Sequence, residues 1–435
     1  MIRKTVQLGL LHTAVAMTLV PINSTLNRVM IKELSLSATL VVLLASLPYV
    51  FSPMQVAIGS YSDSHPLLSR RRTPYILLGL ILCAAGLAVS PLAAFLLEQR
   101  FWMGLVAAAL AFGAWGMGYN FAAVSYLALA TEMSGANNRG RIMAIMWSMM
   151  ICGIIATSLV LGRLLDPYSP SVLSRSFLIV AASALLIGCI GLVRLEPAFV
   201  DKETAGGETS KRSWGELLRS CFGNPQAVLF FVYLILLLSA VSGQDLLLEP
   251  YGGEVLEMPV SRTTRLTAIW GSCFLASMIL GSQLERRVAK KKIAFSGNTA
   301  ALFALLILVA AGFLQTSWVF YLGTILLGLG SGISTVANLS LMLDMTLPGS
   351  EGLFIGMWGM ASAVARVAGS TSGGILRDVL DKGNPITGYA AAFGLLAALL
   401  AVSLILLGKI DVPNFRVRAR SSILSSEGRI FEALD

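Results

Sequence analysis

AVLFFVYLILLLSAVSGQDLLLEPYGG, residues 227–253, is the stretch that decides how this chain folds. From Ala227 to Ala240 it carries no charged side chain, as expected of a helix that lies in lipid. It then closes on Asp245 and Glu249, one helical turn apart and so on one helix face. Pro250, Tyr251, Gly252 and Gly253 follow at once. Carboxylates at the edge of a membrane span are costly to keep there without a use. Two readings follow. The acids bind a cation or proton, or hydrogen-bond a docking partner. Alternatively they face water at a helix end, where Pro250 and Gly252 make the turn.

The rest of the chain has the same character. It is 56% hydrophobic and 13% charged, with mean hydropathy +0.78. An ordinary soluble enzyme carries about a quarter charged residues and is excluded. The 435 residues leave room for about twelve spans of about 20 residues each. Apolar runs place them at 6–27, 36–59, 74–97, 101–130, 141–164, 176–194, 226–248, 264–284, 293–314, 318–343, 353–377 and 386–408. The first run has no small-residue cleavage site after it and reads as a retained span. The net charge of +9 is read as loop charge that orients the spans, so no nucleic acid is expected. Cys83, Cys152, Cys189, Cys221 and Cys273 form no CxxC pair, and neither disulfides nor zinc are expected. No nucleophile–base pair or metal cluster stands out, so the chain is not expected to be an enzyme.

The longest internal polar stretch, 195–225, has DKETAGGETSKR at its centre. It divides an N-terminal six-helix half (1–194) from a C-terminal one (226–408), and a polar tail (409–435) follows. The loops on the side of both termini carry more than twice the Lys and Arg of the opposite loops. Both termini are therefore expected in the cytoplasm. The halves echo each other, as repeat-built transporter halves do. Gly59-Ser-Tyr-Ser-Asp63 leads to Arg70-Arg71-Arg72, and Gly281-Ser-Gln-Leu-Glu285 leads to Arg286-Arg287. Glu132-Met133 precedes Met146-Trp147 much as Asp344-Met345 precedes Met357-Trp358.

Gly59, Asp63 and the cluster Arg70, Arg71, Arg72, between the second and third spans, resemble the signature of the major facilitator superfamily. That resemblance implies an all-α bundle of twelve transmembrane helices in two pseudo-symmetric halves of six. It also implies a cytoplasmic gate, with Glu285 and Arg286 as counterparts in the second half. The inserted SHPLLS departs from the usual spacing, and the glycine-proline antiporter motif is absent from 147–162. TLNRVMIKEL (25–34), RRRTPYILLG (70–79), QDLLLEPYGGEVL (244–256) and TTRLTA (263–268) resemble the PucC family of photosynthetic bacteria, the bacteriochlorophyll-delivery proteins. The family implies a membrane factor that helps assemble light-harvesting or other chlorophyll-binding membrane proteins, with chlorophyll or bacteriochlorophyll as carried pigment. A secondary transporter of a small amphiphile is the alternative. Either way the surroundings are membrane lipid.

Single residues sharpen these expectations. Arg366 lies mid-span, where a charge is costly unless paired or hydrated. It reads as a cavity charge or as half of an internal ion pair. It is a partner in sign for Asp245 and Glu249, although depth along the helices argues against direct contact. Tyr251 joins the two acids by its place in the motif. His12, within the first span, reads as an axial ligand for a pigment magnesium or as a histidine bonded to a neighbouring helix. Asn27 and Arg28 match the family motif, with interface anchoring as the alternative. Asn120 and Asn338 hold similar places in the two halves and read chiefly as interhelical hydrogen-bonding groups. Trp115, Tyr119, Trp147, Trp270 and Trp358 either stack on a flat macrocycle or pack.

Overall fold

The computed structural model describes residues 2–67, 70–133, 139–196, 225–345, 351–381 and 383–411, and its regular elements there are all helical. The first half comprises α1 (Ile2–Val20), a broken α2, α3 (Thr73–Gln99), α4 (Phe101–Met133), α5 (Arg139–Leu164) and α6 (Pro170–Leu192). The second comprises α7 (Pro225–Gly243), α8 (Val260–Leu284), α9 (Lys290–Leu314), α10 (Ser317–Asp344), α11 (Glu351–Leu380) and α12 (Pro385–Lys409). Ten helices among the described residues are long and apolar enough to cross a membrane. The other two expected spans are α2 and α11, whose middle carries Arg366, Ser370, Thr371 and Ser372. The centre of the expected linker (197–224) and the tail from 412 lie outside the described residues.

Three spans depart from simple helices. The second, expected to be continuous over 36–59, is cut into Ala38–Ala45, Leu47–Val50 and Met54–Ser64. Pro48 and Pro53 sit at the breaks, where a ring without an N–H removes a backbone bond. The first continues beyond Val20 through wide π turns at Pro21–Leu26 and Val29–Glu33. The seventh ends at Gly243 but is extended by a 3-10 turn, Gln244–Leu246, and a short helix, Leu248–Glu254. Such wide or tight turns at membrane depth occur where backbone lies against protein or a cavity.

The duplication read from the sequence recurs as packing. α3 lies on α4 and α6, and α9 lies on α10 and α12. A Cβ on Gly118 would fall 2.5 Å from the Cys83 nitrogen, and one on Gly330 would fall 2.6 Å from the Ala301 nitrogen. Bare backbones therefore meet at the same place in each half, as small residues permit in membrane bundles. The halves join through α5 on α8 and through α2 on α11.

Candidate functional site

We call the side on which α1 begins and α12 ends the terminal side and the opposite one the far side. Where α1 and α2 meet α7, α8 and α11, the halves are tied together at the far side. Ser24 and Thr267 both donate to Glu249 Oε1, Thr267 at 2.8 Å. The Thr25 and Thr264 hydroxyls lie 3.0 Å apart. Asn27 Nδ2 donates to the Leu246 carbonyl, Arg28 donates to the Met258 carbonyl at 3.0 Å, and Lys32 donates to the Gly253 carbonyl. Asp378 of α11 accepts from the backbone N–H groups of Ala38 and Thr39 at 3.0 and 2.8 Å, and from the Ser37 and Thr39 hydroxyls at 2.6 Å. A carboxylate from one half thus caps the first helix of the other half's α2. Further along the seam, Ser158 of α5 donates to the Thr264 carbonyl at 2.6 Å.

Below this closure sits the ion pair that depth had argued against. Arg366 donates to Asp245 at 2.8 Å. The sequence-based estimate ended the seventh span at residue 248, whereas helix continues to Glu254. Asp245 is therefore about two and a half turns inside the far end, level with the middle of α11. Tyr49 of the other half lies 4.8 Å under the guanidinium, a cation–π arrangement. Tyr119 is within electrostatic reach. Arg366 and Asp245 keep 32% and 29% of their side-chain surface accessible. The pair belongs to the second half, touches the first half through the Tyr49 ring, and stays about one-third accessible below the far-side closure.

The other sequence candidates divide. Glu249 is 3% exposed, which removes the reading of a water-facing helix end. Asn27 and Arg28, each 1% exposed, are interdomain contacts and not interface anchors. Asn120 donates to the Pro48 and Gly116 carbonyls and accepts from Gln55, and Asn338 accepts from Tyr233, so both join helices. Tyr251 is buried in the second half, donating to the Leu308 carbonyl at 2.7 Å and stacked on Tyr389. His12 is buried against Tyr126 and Trp147, with ring centroids at 5.1 and 5.7 Å. Its Nδ1 is buried and has no hydrogen-bond partner among the described residues. Trp115 donates to Thr18 and is packed, while Trp147 is half-exposed.

On the terminal side the expected gate is organised differently. Gly59 faces Val124 of α4, and Gly281 correspondingly faces Ile333 of α10. Arg72 pairs with Glu132 at 2.7 Å and donates to Ser62. Glu196 accepts from the backbone N–H groups of Arg71, Arg72 and Thr73, capping α3. Arg70 makes a backbone bridge with Leu67. The side chain of Asp63 lies outside the described residues. In the second half Lys290 pairs with Asp344 at 2.8 Å, and Glu285 accepts from Ser340. Arg286 is exposed and makes no ion pair among the described residues. The echoed acids Glu132 and Asp344 thus each pair with a cation near the start of the third helix of their own half. Asp378 and Glu196 left no comparable sequence signal.

Two six-helix halves, joined by α2–α11 and α5–α8 and tied together at the far side, define a major-facilitator-type membrane protein. The same fold is seen in a bacterial homologue of the lysosomal transporter Spinster (TM-score 0.68, 16% identity, 96% of each chain). It is also seen in a mutant of the nucleoside transporter NupG (TM-score 0.72, 15% identity, 94% of this chain and 99% of that one). Within that class the chain belongs to the PUCC protein family, whose profile matches residues 25–415. It is 33% identical to Protein PucC of Cereibacter sphaeroides, over 93% of this chain and 91% of the relative. It is 30% identical to Protein PucC of Rhodobacter capsulatus, over 92% and 90%. The Bacteriochlorophyll synthase 44.5 kDa chain of Rhodobacter capsulatus is 30% identical over 91% and 92%.

Proposed function

We propose that this integral membrane protein is an assembly factor for chlorophyll- or bacteriochlorophyll-binding light-harvesting proteins in a photosynthetic bacterium. It holds pigment, nascent antenna protein or both. Family membership along nearly the whole chain carries the reading, and one relative is itself named for bacteriochlorophyll synthesis. The surroundings of His12 fit such a cargo. An imidazole with a free nitrogen is a suitable axial ligand for magnesium. Tyr126 and the half-exposed Trp147 supply aromatic surface beside it.

Affinity purification from native membranes tests this directly. The product is expected to show a chlorophyll-type absorption spectrum and to bring antenna polypeptides with it. Pigment-free protein, together with normal levels of every pigment–protein complex after deletion, would overturn the reading.

A second reading is alternating-access transport of a small amphiphile. The partly accessible Arg366–Asp245 pair below the far-side closure favours it. Gradient-dependent uptake into proteoliposomes, lost on neutralising Asp245 or Arg366, is its signature.

A further inference from the structure

The far-side seam contains an imbalance of hydrogen-bonding groups. Glu249 Oε1 is fully served by the Ser24 and Thr267 hydroxyls. Its other oxygen, Oε2, is buried and has no partner. Asn27 Oδ1 is buried and bare as well, on a residue 1% exposed. The two groups belong to the same small contact. Ser24 and Asn27, three apart on the wide turns of α1, bond to Glu249 and the Leu246 carbonyl, three apart on the extension of α7. Both bare atoms are acceptors. A buried acceptor without a donor is costly, and buried polar groups are paired almost without exception. What this contact lacks is a hydrogen.

We infer that Glu249 carries a proton in this far-closed state, and that closure of the far side takes up that proton. As a carboxylic acid, Glu249 gains an O–H donor of its own while still accepting from Ser24 and Thr267. When the halves part on the far side, Ser24 leaves and water reaches the carboxyl, so the proton is released there. The only bond that changes is the carboxyl O–H, formed with a proton taken from water on closure and broken by return of that proton to water on opening. Proton binding and closure are linked because one conformation holds the proton better than the other.

The neighbouring charges support this assignment. Arg28, between the two wide turns that follow α1, is the charged group whose field reaches Glu249. One of its terminal nitrogens is paired with Glu33 at 2.5 Å, the other donates to the Met258 carbonyl, and its Nε is bare. Asp245, on the same segment, is paired with Arg366 of α11. Arg265 of α8 turns to the Gly162 carbonyl of α5, and Lys32 of α1 turns to the Gly253 carbonyl. Glu249 therefore makes no ion pair among the described residues. The inference rests on the geometry of the seam and is independent of the pigment reading.

Infrared difference spectroscopy of the whole protein in nanodiscs tests the proton without any conformational assumption. A protonated-carboxyl band that shifts in deuterium oxide is expected in the wild type. It should be lost in Glu249→Gln and kept in Asp245→Asn. The linkage is read by spin labels at Ser171→Cys and Ser317→Cys, at far-side helix starts of opposite halves, in a background without native cysteines. In the wild type the far-side distance is expected to lengthen as pH rises, and in Glu249→Gln it should stay short at every pH. Equal pH dependence in both proteins, or no exchangeable carboxyl band in the wild type, overturns the inference. So does a wild-type distance that follows sodium chloride at fixed pH, which would assign the oxygens to a sodium ion.

Discussion

Arg366 of α11 and Asp245 of α7 form an ion pair at 2.8 Å beneath the far-side seam, with Tyr49 of the opposite half against the guanidinium. The pair belongs to one half, but its aromatic neighbour belongs to the other. Any rearrangement that separates α2 from α11 therefore changes the environment of a charge near mid-membrane, where such a change carries a large energy.

Removing one member should cost more than removing both. Asp245→Asn leaves Arg366 without its counter-ion and is expected to destabilise the protein by roughly 1–3 kcal/mol. That lies between the values for exposed and buried pairs, because both side chains stay partly accessible. Asp245→Asn with Arg366→Gln should recover part of the loss. Thermal unfolding of the single and double variants in detergent measures the coupling, and strictly additive losses would contradict the pair.

The terminal-side ion pairs should behave alike in the two halves. Glu132→Gln strips Arg72 of its carboxylate, and Asp344→Asn does the same to Lys290. The Lys290–Asp344 pair is about one-third exposed on both sides and should be worth about 0.2–1 kcal/mol. Arg72 is far more buried, so Glu132→Gln should cost more. Double-mutant cycles on unfolding midpoints compare the two directly.

Asp378→Ala removes the cap that α11 places on the first helix of α2. Loss of a capping side chain typically costs about 0.5–2 kcal/mol, and here that cap also holds the halves together. A longer far-side distance between spin labels, together with a lower unfolding midpoint, is the expected outcome. An unchanged distance would show that the hydroxyl contacts around Glu249 suffice for closure.

Two glycine substitutions should separate seam from surface. A Cβ on Gly374 meets the Thr39 Cα at 3.3 Å, against backbone that cannot turn away. Gly374→Val is expected to wedge α11 from α2 and open the far side. Gly113, in α4, has nothing within 4 Å of its Cβ position. Gly113→Ala should be neutral, or stabilising by up to about 1 kcal/mol, through a less flexible unfolded chain. Spin-label distances and unfolding midpoints again decide.

His12→Phe keeps the aromatic packing against Tyr126 and Trp147 but removes both ring nitrogens. If the imidazole ligates pigment magnesium, the variant purifies as a folded protein with its chlorophyll-type absorbance lost or strongly reduced. Full retention of pigment would move the ligand elsewhere.

Membrane class, two-fold repetition and the position of most spans were legible in the chain, because each rests on local composition. Unbroken apolar runs must be helical in lipid, and duplicated motifs keep their spacing. The echo of Glu132 with Asp344 even marked two acids that pair in equivalent places of the two halves. The pairings across the seam were not legible. Asp378 reaches Thr39, and Glu249 reaches Ser24, across more than two hundred residues. No periodicity encodes such meetings. The depth estimate that separated Arg366 from Asp245 failed for a related reason. It assumed the span ended near the first acids, whereas the 3-10 turn and the Leu248–Glu254 helix carry it further. Local chemistry says which segments lie in the membrane. How two rigid halves lean together decides which polar groups are buried, paired or left with a bare oxygen.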